Sequence, residues 1–537
     1  MDRALESDTT TSSHLLDGVS PGNLVAKTRP STEMILQSDP VIQTNVSPTL
    51  DGLFRRILAR QPDALALLDP PNKPRVTGQP PRRLTFAQAD RAISALSAHF
   101  IEAGLPANSV VAIQLPNTVE FMLTVLAAHR AGLIVALLPL LWRQAELTVA
   151  LNRTGARAIV TTGKIDGVSH ADLAMNAAVE AFSIRHVCSF GNDLPEGMVS
   201  LDPVLSSEPA TRRAVTQDGR KAAMISFDVT ADGFRAVPRT HLNLIAGGLA
   251  LFLESDVPQG ATMMSAFEPS SFAGLTSSLL VWLLSGGTLA LHHPFDGDVL
   301  EQQINDDRCD TLVAPAQLAL RLADIDMPAR LPTLRNVIGL WRAPEQVASS
   351  PLWTVPHTSL TDVYLFGEAG LFGACRAADG APVAIQPGPH GAPRDVAGSS
   401  IAGETLITPK GTLALRGPMV ATAAYAPVAT SNESLVAQPR DHVDTDYPAR
   451  LDRSTGAICI TAPPAGIMAV GGYRFLSQDL QEWAKRLGQG ALLTALPDRL
   501  SGYRLAGRAH DNARAREALV ELGLNPLMVE AFRDRVS

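Results

Sequence analysis

The 537-residue sequence carries 45 Lys and Arg against 53 Asp and Glu, a formal charge of −8, with 46% apolar and 18% charged residues. That length exceeds one ordinary domain and the composition is globular; so weak a charge, with no Lys/Arg-dense stretch, excludes a nucleic-acid backbone or an anionic membrane surface as partner. Cys188, Cys309, Cys375 and Cys459 stand far apart with no CxxC pair, which excludes a disulfide framework and a zinc site and reads as a cytoplasmic protein with reduced thiols.

The opening MDRALESDTTTSSHLLDG has early acids and no apolar h-region, so it is not a secretory signal; a flexible tail is expected over 1–45. From Leu84 the chain alternates helical and strand patterns. LTFAQADRAISALSAHFIEAGL reads as a helix closed by Gly104, SVVAIQLP as a buried strand, NTVEFMLTVLAAHRAG as a helix closed by Gly132, and LIVALLPL as a strand. AELTVALNRTGARAIVTT repeats the step, so parallel strands joined by helices are expected.

The alternation resumes after Ala222. Pro269–Phe295 carries no Asp, Glu, Lys or Arg, but Ser285-Gly286-Gly287 divides it into a helix-length and a strand-length piece, which predicts a buried helix-to-strand step rather than a membrane span. His292-His293 reads as a strand end. Between Gly380 and Val420 short strands separated by Gly and Pro predict a small β-rich subdomain. The Pro-Pro-Ala-Gly break at 463–466 marks the expected boundary between a large domain, 46–462, and a small one, 463–537, with amphipathic helices in SQDLQEWAKRLG and DNARAREALVELG.

The order of these pieces resembles the adenylate-forming (AMP-binding) superfamily, the acyl-CoA synthetases and their relatives. RTHLNL (239–244), LLSGGTLAL, GTLALRGPMV, RLDRSTGAICI and GGYRF recur in that family's order over roughly residues 50–480. The resemblance implies an α/β fold with a large N-terminal domain, a β-rich subdomain and a small, here shortened, α+β C-terminal domain. It also implies ATP and Mg²⁺ as cofactors, CoA or a carrier thiol as acyl acceptor, and a small carboxylic acid or acyl ligand, with a protein partner possible.

Several motif positions depart from the family. Its phosphate loop, TSGTTGxPKG, corresponds to Phe227–Ala236, where Thr230 is kept, Gly233 is displaced by one place and Arg235 replaces the lysine. Asp228 and Asp232 stand in this stretch, and a carboxylate about 5 Å from a phosphate charge costs on the order of 3 kcal/mol at an effective dielectric of about 20. The adenine-pocket element GGAP becomes Leu340-Trp341-Arg342-Ala343-Pro344, in which Trp341 and Arg342 are expected to crowd or redirect a nucleotide. YGxTE becomes Phe366-Gly367-Glu368-Ala369-Gly370, which keeps an aromatic ring for stacking and leaves Glu368 as the candidate catalytic acid.

The ribose-binding TGD becomes Thr445-Asp446-Tyr447, with Asp446 or Tyr447 in the acid's role, and the substrate pocket is expected beside Ser271 and Phe272. Lys485 is the only lysine beyond Lys410 in a chain that stops at Ser537, so no residue corresponds to the family's catalytic lysine. No metal ligands are assigned. Two readings follow: an impaired or partner-dependent acyl-CoA synthetase-like ligase that makes an acyl-adenylate and passes it to a thiol, or a non-catalytic acyl- or nucleotide-binding or regulatory protein, a pseudoenzyme on the same fold.

Overall fold

The computed structural model describes residues 47–208, 218–391, 402–426, 435–436 and 441–533. The tail expected over 1–45 lies outside the described residues, as does part of the stretch expected to be β-rich.

The early alternation folds as the pattern predicts. Helix Phe86–Glu102 starts at a capping box, in which Gln88 N–H donates to Thr85 Oγ1 at 3.2 Å and Thr85 N–H to the Gln88 amide oxygen at 2.8 Å. Strand Val110–Ile113, helix Val119–Arg130, strand Ile134–Leu137, helix Gln144–Thr154 and strand Ala158–Thr162 follow. Every residue of Val119–Arg130 is buried, which is why its sequence is apolar nearly all round.

Two large sheets carry the molecule. The first has eight strands in the spatial order Leu371–Cys375, Ser359–Leu365, Asn336–Trp341, Thr311–Pro315, Thr262–Ser265, Thr288–Leu291, Leu65–Leu68 and Arg83–Thr85. Its six inner strands run parallel and both edges antiparallel. The second has seven, ordered Gly233–Thr240, Ala222–Thr230, Ile134–Leu137, Val110–Ile113, Ala158–Thr162, His186–Phe190 and Val199–Ser200. One apolar cluster built from both sheets and the helices between them forms the main core.

The charge-free stretch is a helix running through Phe272–Leu275, a π-turn at Thr276–Leu280 and Val281–Ser285, ended by Gly286 in the left-handed region and followed by strand Thr288–Leu291. Among the described residues no helix is long and apolar enough to cross a membrane. His292 serves the strand end: its Nε2 accepts the Asp296 N–H at 3.1 Å, and its Nδ1 lies 3.3 Å from the Gln303 amide oxygen. A five-stranded antiparallel sheet, Gly388–His390, Gly403–Ile407, Thr412–Arg416, Val443–Leu451 and Ile458–Ile460, follows.

Beyond the Pro-Pro-Ala-Gly break come the hairpin Ile467–Val470/Tyr473–Leu476, helix Ser477–Arg486, the hairpin Leu492–Asp498/Gly502–Arg508 and helices Asn512–Glu521 and Pro526–Glu530. Both amphipathic helices foreseen from the pattern are present. They bury Leu480, Ala484, Ala515 and Leu519 in a separate apolar cluster with Leu505 and Phe532. The four cysteines are free thiols, and burial pushes the Cys188 thiol up to about 12.

Three histidines are sealed inside the large part of the molecule. His129 donates from Nε2 to the Ala223 carbonyl at 3.0 Å and meets the His241 ring edge-on at 4.8 Å; His170 Nδ1 lies 3.2 Å from the Gln114 amide oxygen. Burial holds all three neutral, lowering His129 to about 4, His170 to about 3 and His241 well below the ordinary 6.5. The unfolded chain therefore binds protons that the folded chain refuses, and their stabilising contribution, complete above pH 6.5, is lost as pH falls toward the folded values. At pH 5 His129 and His170 each forfeit about 2 kcal/mol. Urea unfolding is expected to show several kcal/mol less stability at pH 5 than at pH 7, and His170→Gln is expected to reduce that difference.

Candidate functional site

Strand Ala222–Thr230 turns through Ala231-Asp232 directly into strand Gly233–Thr240, with Thr230 opposite Gly233, Val229 opposite Phe234, Asp228 opposite Arg235 and Phe227 opposite Ala236. Gly233, at φ 101°, lets the two-residue turn close. The stretch aligned with the phosphate loop is thus a regular antiparallel ladder, in which alternate N–H groups serve the paired strand and the Val229 N–H serves Asp228 Oδ1, instead of all converging on one point. Thr230 donates from its hydroxyl to the Gly233 carbonyl at 3.4 Å, at the turn itself.

Glu368 follows strand Ser359–Leu365 and is buried. Its Oε2 accepts the Ser226 hydroxyl, the Phe272 N–H at 3.2 Å and Arg239 Nη1 at 3.3 Å, while Arg239 Nη2 donates to the Glu368 carbonyl. The fully buried Arg239 guanidinium also lies 3.8 Å from the centroid of the Phe272 ring. Burial lowers Arg239 to about 10 and raises Glu368. The residue put forward as catalytic acid therefore ties two strands to the start of a helix. Ser271 caps that helix, its Oγ accepting the Gly274 N–H at 3.0 Å, and Phe272 turns into the core.

A second buried pair stands beside the first. Asp228 Oδ2 accepts the Glu368 N–H at 2.9 Å, its Oδ1 accepts the Val229 N–H at 2.9 Å, and Arg474, from the hairpin beyond the Pro-Pro-Ala-Gly break, reaches Oδ1 at 3.2 Å. Arg474 Nη2 donates to the Tyr447 hydroxyl at 3.4 Å, and the Tyr447 ring meets Phe366 edge-on at 5.6 Å. Both rings are buried. Burial works against the Arg474 charge, but Asp228 and then Tyr447 outweigh it and raise its pKa; burial pushes Tyr447 up to about 12. Gly367 is required where it stands: its φ is +56°, and a Cβ there would lie 2.7 Å from Asp228 Oδ2 and closer still to the Arg474 guanidinium.

The other sequence-derived positions lie around this pair. Asp446 sits at φ +62° where strand Val443–Leu451 bulges between Ala414 and Thr412, its N–H donating to Asp444 Oδ1 at 2.9 Å. Burial and the neighbouring Asp444 raise its carboxyl, with Asp232 adding to them and Arg235 opposing. Ala343 and Pro344 are buried, and Gln346 donates to the Gly502 carbonyl at 3.2 Å, bringing the second C-terminal hairpin over them. Trp341 does not crowd the site as expected: it packs in the core and donates to Asp362 Oδ1 at 2.7 Å.

A cavity of about 430 Å³ opens between this floor and the C-terminal section. Ser271, Gly367 and Glu368 line it, whereas Thr230, Gly233, Arg235, Phe272, Ala343, Pro344, Phe366, Asp446 and Tyr447 do not. One wall is a packed aromatic group, with Phe227 stacked on Phe234 at 5.3 Å and Trp142 5.3 and 5.7 Å from them. Leu480, Trp483 and Met528 face it from the C-terminal section. Sequence reasoning assigned no role to Arg239, Glu268, Tyr473 or Arg474. The available signal was a charged residue inside an otherwise apolar strand pattern, in RTHLNL and GGYRF. Among the described residues no cluster of His, Cys, Asp or Glu is arranged to hold a metal ion.

The family model described as AMP-binding enzyme matches residues 54–423. Over 270 residues the chain is 23% identical to a medium-chain fatty-acid–CoA ligase of Escherichia coli, covering 49% of this chain and 48% of that one. It is 26% identical over 194 residues to a salicyl-AMP ligase/salicyl-S-ArCP synthetase of Mycobacterium tuberculosis, covering 36% and 33%. The matches thus span about half or less of those relatives' lengths. An amide bond synthetase from Marinactinospora thermotolerans superimposes with a TM-score of 0.64 at 18% identity, covering 89% of this chain and 94% of that one. An anthranilate CoA ligase in complex with anthranoyl-AMP gives 0.63 at 13% identity, covering 89% and 91%. At such identities the likeness is one of fold: the adenylate-forming architecture, with a large N-terminal α/β part and a small C-terminal one.

The buried pair makes a stability prediction. Arg474→Met strands the Asp228 charge and is expected to cost about 3 kcal/mol in urea unfolding. Adding Asp228→Asn is expected to recover at least about 1 kcal/mol of that, a coupling that independent sites do not show.

Proposed function

Because the chain belongs to the AMP-binding enzyme family, we propose that it is an acyl-CoA-ligase-like member that holds a small acyl-type ligand in the cavity without activating it with ATP. The observation that carries this reading is the Arg474 side chain lying on Gly367, paired with Asp228 and bonded to Tyr447. In the motif alignment, Gly367 and Phe366 bound the adenine site and Tyr447 the ribose site. Here Tyr447 covers Phe366, and Arg474 fills the space over Gly367.

ATP and Mg²⁺, which adenylate-forming ligases generally use, do not fit these residues. The ladder through Asp228–Arg235 holds the backbone extended, with alternate N–H groups paired across it and the Val229 N–H bonded to Asp228 Oδ1, instead of curling them around a phosphate. The ring that would stack on adenine is covered, and the nearest carboxylates, Glu368 and Asp228, are engaged by Arg239 and Arg474. An aromatic-walled cavity large enough for a small ligand is retained. We place the domain boundary at the 463–466 break, because the residues beyond it have their own apolar cluster.

One feature favours a second reading, ATP-dependent activation after rearrangement. Arg474 and Tyr473 come from the single hairpin Ile467–Leu476, so withdrawal of that hairpin alone would uncover Gly367 and Asp228. The two readings part on a direct measurement. The binding reading expects no thermal shift with millimolar ATP–Mg²⁺ and no pyrophosphate release above a no-protein blank over a panel of aliphatic and aromatic acids, together with a thermal shift from members of that panel. Release at an ordinary enzymatic rate, about 1 s⁻¹ or faster, would overturn it in favour of activation.

A further inference from the structure

Two arginines line the cavity, Arg342 and Arg474. Arg474 carries its counter-ion, Asp228; Arg342 makes no ion pair among the described residues. Its Nη1 donates to the Gly471 carbonyl at 2.7 Å, and its guanidinium lies 4.5 Å from the centroid of the Phe267 ring. Gly472 covers it on another side so closely that a Cβ there would stand 2.7 Å from both Cζ and Nε. The planar group is thus held by its surroundings, while its Nε and Nη2 reach no protein acceptor among the described residues.

The nearest acid is already engaged. Glu268 Oε1 accepts the Leu140 N–H at 2.9 Å and the Ser270 hydroxyl at 2.8 Å, and Oε2 accepts the Tyr473 hydroxyl at 3.0 Å. Burial disfavours the charged form of Arg342, and Glu268 offsets this only partly. A guanidinium keeps its proton in proteins, so the imbalance persists as an unanswered positive charge at an apolar wall.

We propose that Arg342 binds the carboxylate of an aromatic monocarboxylic acid in the cavity, through Nε and Nη2, an assignment that rests on the ligand-binding reading above. The two nitrogens form the planar fork that matches a carboxylate in bidentate fashion. A monoanion balances the single unanswered charge, whereas a phosphate dianion brings a second charge toward Glu268. The packed rings of Trp142, Phe227 and Phe234 supply a wall for the aromatic body.

The test is calorimetric titration with 2-naphthoate and with its neutral amide, 2-naphthamide, on wild type, Arg342→Gln, Arg342→Lys and Ala469→Trp, each first checked for folding by thermal melt. Ala469 lines the cavity without itself bonding Arg342, and a Trp there is expected to fill it. Wild type is expected to bind the acid about tenfold to a hundredfold tighter than the amide, the range of one charged hydrogen-bonded contact. Arg342→Gln is expected to bring the ratio to about one, Arg342→Lys to keep part of it, and Ala469→Trp to abolish both. An acid-to-amide ratio near one in wild type, or one that Arg342→Gln leaves unchanged, overturns the role of Arg342 while the cavity reading stands if Ala469→Trp still abolishes binding. Binding that survives Ala469→Trp, or no binding of either compound, overturns both. Should Arg342→Gln fail to fold, the wild-type ratio and Arg342→Lys decide.

Discussion

The ion pair between Arg474 and Asp228 is the constraint on which the rest of the site depends. A buried pair is stable only when the remaining hydrogen-bonding capacity of both ions is met. Here the Glu368 and Val229 N–H groups complete Asp228, and the Tyr447 hydroxyl meets Arg474. The pair and those partners come from four separate stretches of chain, so the pair fixes their relative positions. Because the Glu368 N–H is one of the donors, the pair is joined to the second one, Glu368 with Arg239, which reaches the Phe272 ring in the core. The result is a continuous polar line from the centre of the large part of the molecule to the C-terminal hairpin.

That line sets the shape of the cavity above it. Its floor consists of groups that have already spent their hydrogen bonds on one another, which leaves little polar capacity facing a ligand. Its roof comes from Leu480, Trp483 and Met528, residues of the C-terminal section. On the binding reading, a ligand in this space would bury apolar surface on both sides at once, and so favour the arrangement in which the hairpin stays seated. On that reading binding and the seating of the C-terminal section would be coupled through shared contacts, without any moving part beyond those already packed together.

The fold was legible because periodicity and end signals act locally. Thr85 with Gln88 marks a helix start, Gly286 stops a buried helix, and the charge-free stretch splits where the glycines stand. The ordered series of motif fragments then fixed the family. The site was less legible, since its decisive interactions join residues far apart in sequence. Asp228 read by itself is a charge repelling phosphate; only the fold brings Arg474 to it across 246 positions. Glu368, put forward as the candidate catalytic acid, has its carboxylate bonded to Ser226, Phe272 and Arg239. Tyr447 in an acid's place gives no hint of its direction until Phe366 is found beneath it.

The departures from the family pattern also make physical sense as a set. An aspartate introduced alone at position 228 would be an uncompensated buried charge, several kcal/mol too costly to keep. An arginine alone at 474 would be the same with the sign reversed, and a tyrosine at 447 would bury a hydroxyl without a partner. Together the three satisfy one another, and Arg474 lies in the space over Gly367. On this floor Asp228 answers Arg474 and Glu368 answers Arg239, charge for charge. Arg342 stands outside that balance, on the wall rather than the floor, and it is there that the cavity still has a charge to offer.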